Sequence, residues 1–178
     1  MNSTIEKLIK ISIVGHPAVG KTTILKLLSN NSESNQKYLP TQGFDLKTVK
    51  FGNYKLNVWD FGGQKSYLKM YLTDYLLGSD IIFVVTDSTP RNVLTSKELI
   101  DHSTMIIGKE CPIIAIANKQ DLCKTDGRLK ADRVENVLHV KTHGLIAIKN
   151  SERTRMMNII KSELEQVLIR RNSVESDI

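Results

Sequence analysis

The chain has 178 residues, of which 40% are hydrophobic and 25% are charged, a composition that fits one globular domain and excludes a chain disordered in its main state. Apolar runs such as residues 81–85 stop well short of the roughly 18 residues that a membrane-spanning helix needs, which excludes an integral membrane protein. The formal net charge is +6, but the basic residues are scattered and not interleaved with aromatic ones, so we expect no nucleic-acid binding.

The two cysteines, Cys111 and Cys123, can form at most one disulfide, and the first residues lack the pattern of a secretory signal. We therefore expect a cytoplasmic protein with both thiols free. Residues 1–172 are predicted to form a single domain, followed by a short polar tail at residues 173–178.

Short apolar runs alternate with stretches of helical periodicity, which predicts an α/β fold with helices on both faces of a sheet. The predicted strands cover residues 8–14, 44–51, 55–60, 81–85, 113–117 and 144–148. The predicted helices cover residues 21–29, about 68–76, 93–107, 131–138 and 153–170. Only Gly52 and Asn53 separate the second strand from the third, so these two should form an antiparallel edge on an otherwise parallel six-stranded sheet.

Several apolar side chains of the last predicted helix recur with the 3.6-residue period, and we expect them to face the core. They are Met156, Met157, Ile160, Leu164, Val167 and Leu168. The polar stretch at residues 30–43 is long for a loop in a compact domain, which is typical of functional loops.

The sequence from Gly15 to Thr22 fits the phosphate-loop pattern G-x-x-x-x-G-K-[ST] and lies between a predicted strand and a predicted helix. Small residues let the main chain wrap a phosphate, and the following helix presents its positive end to the anion. Lys21 is expected to reach the β and γ phosphates, and Thr22 to offer its hydroxyl to Mg²⁺. Because Pro17 has no N–H, the cradle must use amides from Ala18 onward.

A second acidic element follows the third predicted strand, at Asp60. A carboxylate at this end of a strand, beside a phosphate loop, supplies the second half of a Mg²⁺–nucleotide site, usually through a metal-bound water. Gly63 can bring its amide against the γ phosphate because no side chain intervenes. Gln64 can then orient an attacking water. The alternative, an ordinary Asp-x-Gly-Gly turn, is disfavoured by the spacing from the phosphate loop.

Asn118, Lys119 and Asp121 form the pattern Asn-Lys-x-Asp directly after the strand predicted at residues 113–117. This is the edge at which open α/β sheets bind ligands. Asp121 can accept two hydrogen bonds from the N–H groups on one edge of guanine, whereas adenine offers no such pair of donors. The pattern alone is loose, and its place downstream of a phosphate loop favours a guanine site.

Together these motifs resemble those of the Ras-like small GTPases, and among them the ADP-ribosylation factor (Arf) family. The resemblance rests on KTTIL at residues 21–25, PTQGF at 40–44, WDFGGQ at 59–64 and NKQDL at 118–122. It implies a switch that binds and hydrolyses GTP, with GTP or GDP and Mg²⁺ as its ligands. Residues 30–43 correspond to switch I and residues 63–75 to switch II.

The resemblance also implies roles for individual residues. Catalysis is assigned to Gln64, Lys21, Thr41 and Gly63, and Mg²⁺ to Thr22, Thr41 and, through water, Asp60. The implied nucleotide contacts are Gly15, Ala18, Val19, Gly20, Lys21, Thr22, Thr23, Thr41, Gly63, Asn118, Lys119, Asp121, Ala147 and Ile148.

Two features depart from the family pattern. The last base-contacting triplet is eroded, and either Ala147 or Ile148 takes its central place. The alignment with Ala147, whose amide would contact the base oxygen, keeps the apolar residues of the last helix in register. The chain begins Met1-Asn2 and ends without a prenylation signal, so we expect no lipid anchor and at most peripheral membrane contact.

The resemblance further implies a monomer regulated by an exchange factor and a GTPase-activating protein, with effectors that recognise the switch loops in signal transduction or vesicle trafficking. Phe44, Trp59, Tyr71 and Tyr75 are candidates for the effector surface. One alternative is a module that holds GTP constitutively and hydrolyses it poorly, motivated by Pro17 and the eroded triplet. Another is a small-molecule kinase, against which the guanine motif and the missing arginine-rich lid argue.

Overall fold

The computed structural model describes residues 7–29, 44–51, 54–61, 72–74, 76–108 and 111–175. Its strands are β1 (Lys7–Val14), β2 (Phe44–Phe51), β3 (Tyr54–Phe61), β4 (Ile81–Thr86), β5 (Ile113–Ala117) and β6 (Thr142–Gly144). Its α-helices are α1 (Lys21–Ser29), α2 (Pro90–Ile107), α3 (Ala131–Leu138) and α4 (Arg153–Glu175). Residues 72–74 and 76 are also helical.

The strands form one sheet in the order β2-β3-β1-β4-β5-β6. β1 lies parallel to both β3 and β4, and the pairs β4–β5 and β5–β6 are also parallel. β2 runs antiparallel to β3, with Phe44 opposite Phe61, while the turn predicted at Gly52 and Asn53 lies outside the described residues. The α/β prediction is confirmed, and the carboxyl ends of β1, β3, β4 and β5 share one edge of the sheet.

Helices cover both faces of the sheet, and the alternation along β4 shows why. Ile81, Phe83 and Val85 belong to the buried cluster that contains the apolar faces of α1 and α4. Ile82 and Val84 belong to the opposite cluster, with the apolar residues of α2 and α3. A strand buried on both faces needs a continuous apolar run, which is what residues 81–85 supply.

The last helix buries most of the predicted apolar stripe. Met156, Ile160, Leu164 and Val167 are buried, and Met157 packs against the same cluster. α4 continues to Glu175 instead of ending at residue 170, because residues 171–175 contain no glycine or proline to stop it. None of the helices in the described residues is both long and apolar enough to cross a membrane.

The sixth strand is present and parallel as predicted, but its predicted bounds, residues 144–148, are wrong: β6 is Thr142–Gly144. The ladder ends where the Leu145 amide donates to the Ala117 carbonyl (2.9 Å), and a turn follows in which Lys149 N donates to Ile146 O (2.9 Å). Leu145 and Ala147 are nevertheless buried. Apolarity therefore predicted burial correctly at residues 145 and 147 and extended backbone wrongly at residues 145–147.

α2 begins at Pro90, three residues before the predicted start. The Thr89 hydroxyl accepts a hydrogen bond from the Asn92 amide (3.3 Å) and caps the helix. Proline fits the first turn of a helix because backbone N–H groups in that turn have no acceptor within the helix, so the missing N–H costs no hydrogen bond. The helix predicted near residues 68–76 lies partly outside the described residues.

Candidate functional site

The loop at residues 15–20 joins β1 to α1 in the middle of the sheet, and its two glycines are required by close approaches. A side chain at Gly15 would collide with the Val85 carbonyl oxygen, and one at Gly20 with the side-chain amide of Asn118. Gly20 and Ala18 also have positive φ angles of 105° and 62°. The glycine spacing of the motif therefore lets this loop lie against the ends of β4 and β5, with the amino end of α1 directly behind it.

Lys21 holds this loop in its curled form. It is the first residue of α1, only 6% of it is exposed, and its Nζ donates to the carbonyls of Gly15 (2.9 Å) and His16 (2.9 Å). A buried ammonium therefore lies in the concave side of the loop, where the amino end of α1 adds further positive charge. Both features favour a phosphate ligand.

Thr22 and Thr23 lie in the first turn of α1, half-buried, and Asp60 lies at the same edge of the sheet. Asp60 pairs in register with Ile13 of β1, two residues before the loop begins. A hydroxyl and a carboxylate are oxygen ligands that suit Mg²⁺, which also keeps waters and phosphate oxygens in its shell. The residues present therefore fit a Mg²⁺ ion, which when bound neutralises charge on the β and γ phosphates.

Three of the predicted catalytic residues, Thr41, Gly63 and Gln64, lie outside the described residues. Within the described ranges, no group of three or more His, Cys, Asp or Glu side chains could hold a metal ion.

Asn118 joins the phosphate loop to the two segments predicted to read the base. It is 3% exposed; its Nδ2 donates to Val19 O (2.9 Å), and its Oδ1 accepts from the Ala147 amide (3.1 Å). Lys119 makes a second bridge, from its Nζ to Ala18 O (2.8 Å). The structure thus brings the two predicted motifs into direct contact.

Asp121 lies in a short 3-10 turn, Gln120–Leu122, and its side chain is exposed beside this junction. Ala147 is buried, with its amide bonded to Asn118, whereas 75% of Ile148 is exposed. The Asp121 carboxylate and the segment that contains Ala147 and Ile148 therefore flank the surface next to the phosphate loop. This arrangement suits a purine base whose phosphates lie in that loop.

Several residues that the sequence does not mark support this junction. Ser88, fully buried and with a φ of 67°, donates from its hydroxyl to the Asn118 carbonyl (2.7 Å). Arg128 donates to the Asp87 carbonyl (2.6 Å) and lies 3.4 Å from the Asp87 carboxylate. These bonds attach the segment after β5 to the loop after β4. No local pattern marks residues that act through partners this far away in the sequence.

The charge of Asp87 is stabilised by its surroundings. Burial by itself would raise the pKa of this carboxyl group, but the amide (3.0 Å) and hydroxyl (2.8 Å) of Thr89 both donate to it. The positive charges of Arg128 and Lys119 act in the same direction as these hydrogen bonds. Together they lower the pKa of Asp87 below its usual value.

The sequence model of the ADP-ribosylation factor family matches residues 1–170 of this chain. The chain belongs to this family. Arf-family proteins are GTPases of the Ras-like group, with GTP or GDP and Mg²⁺ as their ligands. The predicted family, enzyme class and cofactors are confirmed by this match.

Individual relatives agree with the family assignment. The chain is 33% identical to ADP-ribosylation factor-like protein 2 of Drosophila melanogaster over 156 residues, which are 80% of this chain and 77% of that protein. It is 36% identical to ADP-ribosylation factor-like protein 3 of Chlamydomonas reinhardtii over 133 residues, 72% of this chain and 71% of that protein. With the Caenorhabditis elegans ADP-ribosylation factor-like protein 3 it shares 40% identity over 120 residues, 64% of this chain and 62% of that protein's length.

The fold is shared with a solved Arf-like structure. The Arl6 BBS3 small GTPase of Trypanosoma brucei, with the bound nucleotide analogue GppNp, superposes with a TM-score of 0.66 at 20% sequence identity. The superposition covers 88% of this chain and 98% of that one. The likeness establishes the P-loop GTPase fold.

Proposed function

We propose that this Arf-family protein is a guanine-nucleotide switch whose affinity comes from a single joined site. The observation that carries the proposal is the pair of hydrogen bonds from Asn118, one to the phosphate loop and one to the Ala147 amide. Because the same side chain fixes both halves, the distance between the phosphate pocket and the base pocket is set by the fold. This is what a nucleoside diphosphate or triphosphate requires.

Within this site, the phosphates lie in the loop at residues 15–20 and contact Lys21, while Thr22 and Asp60 contribute to the Mg²⁺ shell. Asp121 accepts hydrogen bonds from the guanine edge, and the Ile148 amide donates to the base oxygen, because the Ala147 amide is already bonded to Asn118. The buried position of Lys21 supports its role, because a desolvated ammonium interacts more strongly with phosphate than an exposed one.

Hydrolysis is assigned to residues around the γ phosphate. Gln64 orients the attacking water, the Gly63 amide and Thr41 hold the γ phosphate and Mg²⁺, and Lys21 stabilises the developing charge. The segments 30–43 and 62–71 directly precede β2 and directly follow β3, the two antiparallel strands of the sheet. Their common attachment supports a coupled response of both segments when the γ phosphate is lost.

Effectors recognise these two segments, with Phe44 and Trp59 on the adjoining strands. An exchange factor and a GTPase-activating protein complete the cycle. We propose a cytoplasmic monomer with at most peripheral membrane contact.

Single-turnover phosphate release tests the proposal. The protein is loaded with GTP, Mg²⁺ is added, and phosphate is followed in the wild type, in Gln64→Leu and in Gln166→Leu, an exposed glutamine on α4. We expect slow release in the wild type, at least about tenfold slower release in Gln64→Leu, and an unchanged rate in Gln166→Leu. If the bound GTP is not hydrolysed even after a GTPase-activating protein is added, the protein would instead be a constitutive binding module. An unchanged rate in Gln64→Leu would refute the role of that residue.

A further inference from the structure

The third position of the Asn-Lys-x-Asp motif, Gln120, makes more side-chain contacts than a spacer needs. Its Nε2 donates to the Ser88 hydroxyl (2.9 Å) and to the Leu129 carbonyl (3.1 Å). Its Oε1 accepts from the Ala131 amide (3.1 Å) at the start of α3. All polar atoms of this side chain are thus bonded, and they join the loop after β4 to the amino end of α3.

The end of β6 packs against the same side chain. A methyl group at Gly144 would lie 3.2 Å from Gln120 Cγ and 3.2 Å from Ala131 Cβ. The backbone amide of Gln120 also donates a hydrogen bond to the Leu145 carbonyl (3.3 Å). Gln120 is therefore enclosed between β6, α3 and the loop after β4, and its position is fixed from three sides.

Asp121, the next residue, has no such support of its own. Its side chain is exposed, and within the described residues its carboxylate accepts no hydrogen bond. The position of this carboxylate therefore depends on the backbone of the turn Gln120–Leu122. The first residue of that turn is the one held by the contacts above.

We propose that Gln120 is a positioning residue for guanine recognition: its bonded side chain fixes the turn that presents Asp121 to the base. The inference rests on the proposed guanine site. Two hydrogen bonds to one carboxylate need both oxygens in place at once, so a turn that shifts loses the bidentate geometry before it loses nucleotide binding altogether.

Inosine diphosphate separates this role from a purely structural one. Hypoxanthine lacks the exocyclic amino group of guanine, so the ratio of the IDP and GDP dissociation constants reports one of the two bonds to Asp121. We expect a ratio of about tenfold or more in the wild type, as for a hydrogen bond to a charged group. The Gln120→Met variant, similar in length but without polar atoms, should reduce the ratio to less than about threefold. Gln166→Met makes the same chemical change at an exposed site of α4 and should leave the ratio unchanged.

A second variant, Gly144→Ala, keeps the proposal testable if Gln120→Met does not fold. Gly144→Ala keeps every polar atom of Gln120 but pushes on its Cγ, so the ratio should fall in the same direction and by less. In an Asp121→Ala background, Gln120→Met should change neither dissociation constant by more than about twofold, because the carboxylate that it positions is gone.

The outcomes are distinct. If Gln120→Met weakens the binding of GDP and IDP equally, so that the ratio of the dissociation constants keeps its wild-type value, the positioning role is overturned. It is also overturned if Gln120→Met further weakens nucleotide binding in the Asp121→Ala background. A wild-type protein that binds ADP as well as GDP would instead contradict the proposed guanine site itself, whatever Gln120 does.

Discussion

Replacing Gly20 by alanine tests the contact that joins the two halves of the site. The Cβ of Gly20→Ala would collide with the side-chain amide of Asn118. Asn118 cannot simply rotate away, because it is buried and bonded to Val19 and Ala147. We therefore expect the substitution to break these two hydrogen bonds in addition to straining the backbone at Gly20.

The magnitude follows from two contributions. An alanine with φ in the positive region costs about 1–2 kcal/mol, and Gly20 has a φ of 105°. Each buried polar group that loses its partner costs about 1–3 kcal/mol. With two such hydrogen bonds broken, the free energy of unfolding should fall by about 3–8 kcal/mol, a large part of the roughly 5–15 kcal/mol that domains have.

Gly127→Ala is the matched control, since Gly127 has a φ of 60° with open space where the side chain would lie. It should cost only about 1 kcal/mol. Urea unfolding at constant Mg²⁺ and several GDP concentrations gives both the intrinsic stability and the dissociation constant, because GDP stabilises the folded state by mass action. We expect Gly20→Ala to weaken GDP binding about tenfold or more and Gly127→Ala to leave it unchanged.

The reasoning is refuted by one outcome of a double-mutant cycle. In an Asn118→Ala background the colliding amide is gone, so Gly20→Ala should cost only its backbone strain of about 1–2 kcal/mol. If it costs the same in both backgrounds, the contact between Gly20 and Asn118 does not determine the effect.

Three further predictions concern charge and exposure. Because folding lowers the pKa of Asp87, this carboxylate stabilises the fold above its unfolded pKa of about 3.9, and the stabilisation is lost as pH falls through the lower folded value. In urea unfolding between pH 5 and 3, the free energy of unfolding of Asp87→Asn should therefore decrease less with falling pH than that of the wild type. Glu163 is buried and lies 2.6 Å from Lys141 Nζ, so Glu163→Gln should lower the unfolding free energy by about 1–2 kcal/mol, and an unchanged value would contradict the pairing. Ile148→Ser, at a side chain that is 75% exposed, should change the unfolding free energy by less than about 0.5 kcal/mol, and a larger loss would mean that Ile148 packs against the core.

The parts that the sequence predicted well are those with a local cause. The continuous apolar runs of β4 and β5 require burial on both faces, and a parallel sheet between helices satisfies that requirement. The phosphate loop was recognisable because its residues are contiguous in the sequence, between a strand and a helix, and because Gly20 has a φ of 105° that favours glycine. The α1 and α3 boundaries agree with the structure for the same reason, since each helix has its own apolar periodicity.

The parts that it missed depend on partners distant in the chain. The run at residues 145–147 is as apolar as a strand, yet the chain turns after it, and the Ala147 amide is bonded to the distant Asn118 side chain instead of a neighbouring strand. The sequence indicates no role for Gln120, although it lies within the Asn-Lys-x-Asp motif, because its hydrogen-bond partner Ser88 is 32 residues away. Hydrogen bonds over such separations leave no periodic trace in the sequence.

The central claim, that Asp121 reads guanine next to a phosphate loop, is tested most directly by base preference. Dissociation constants of GDP, ADP and XDP are measured with Mg²⁺ for the wild type and for Asp121→Asn. Xanthine has a carbonyl oxygen where guanine has an amino group, and the asparagine amide can donate to it. We predict that the wild type binds GDP at least about 100-fold more tightly than ADP or XDP, and that Asp121→Asn binds XDP more tightly than GDP. Equal affinities of the wild type for GDP and ADP, or a preference that Asp121→Asn leaves unaltered, would contradict the claim.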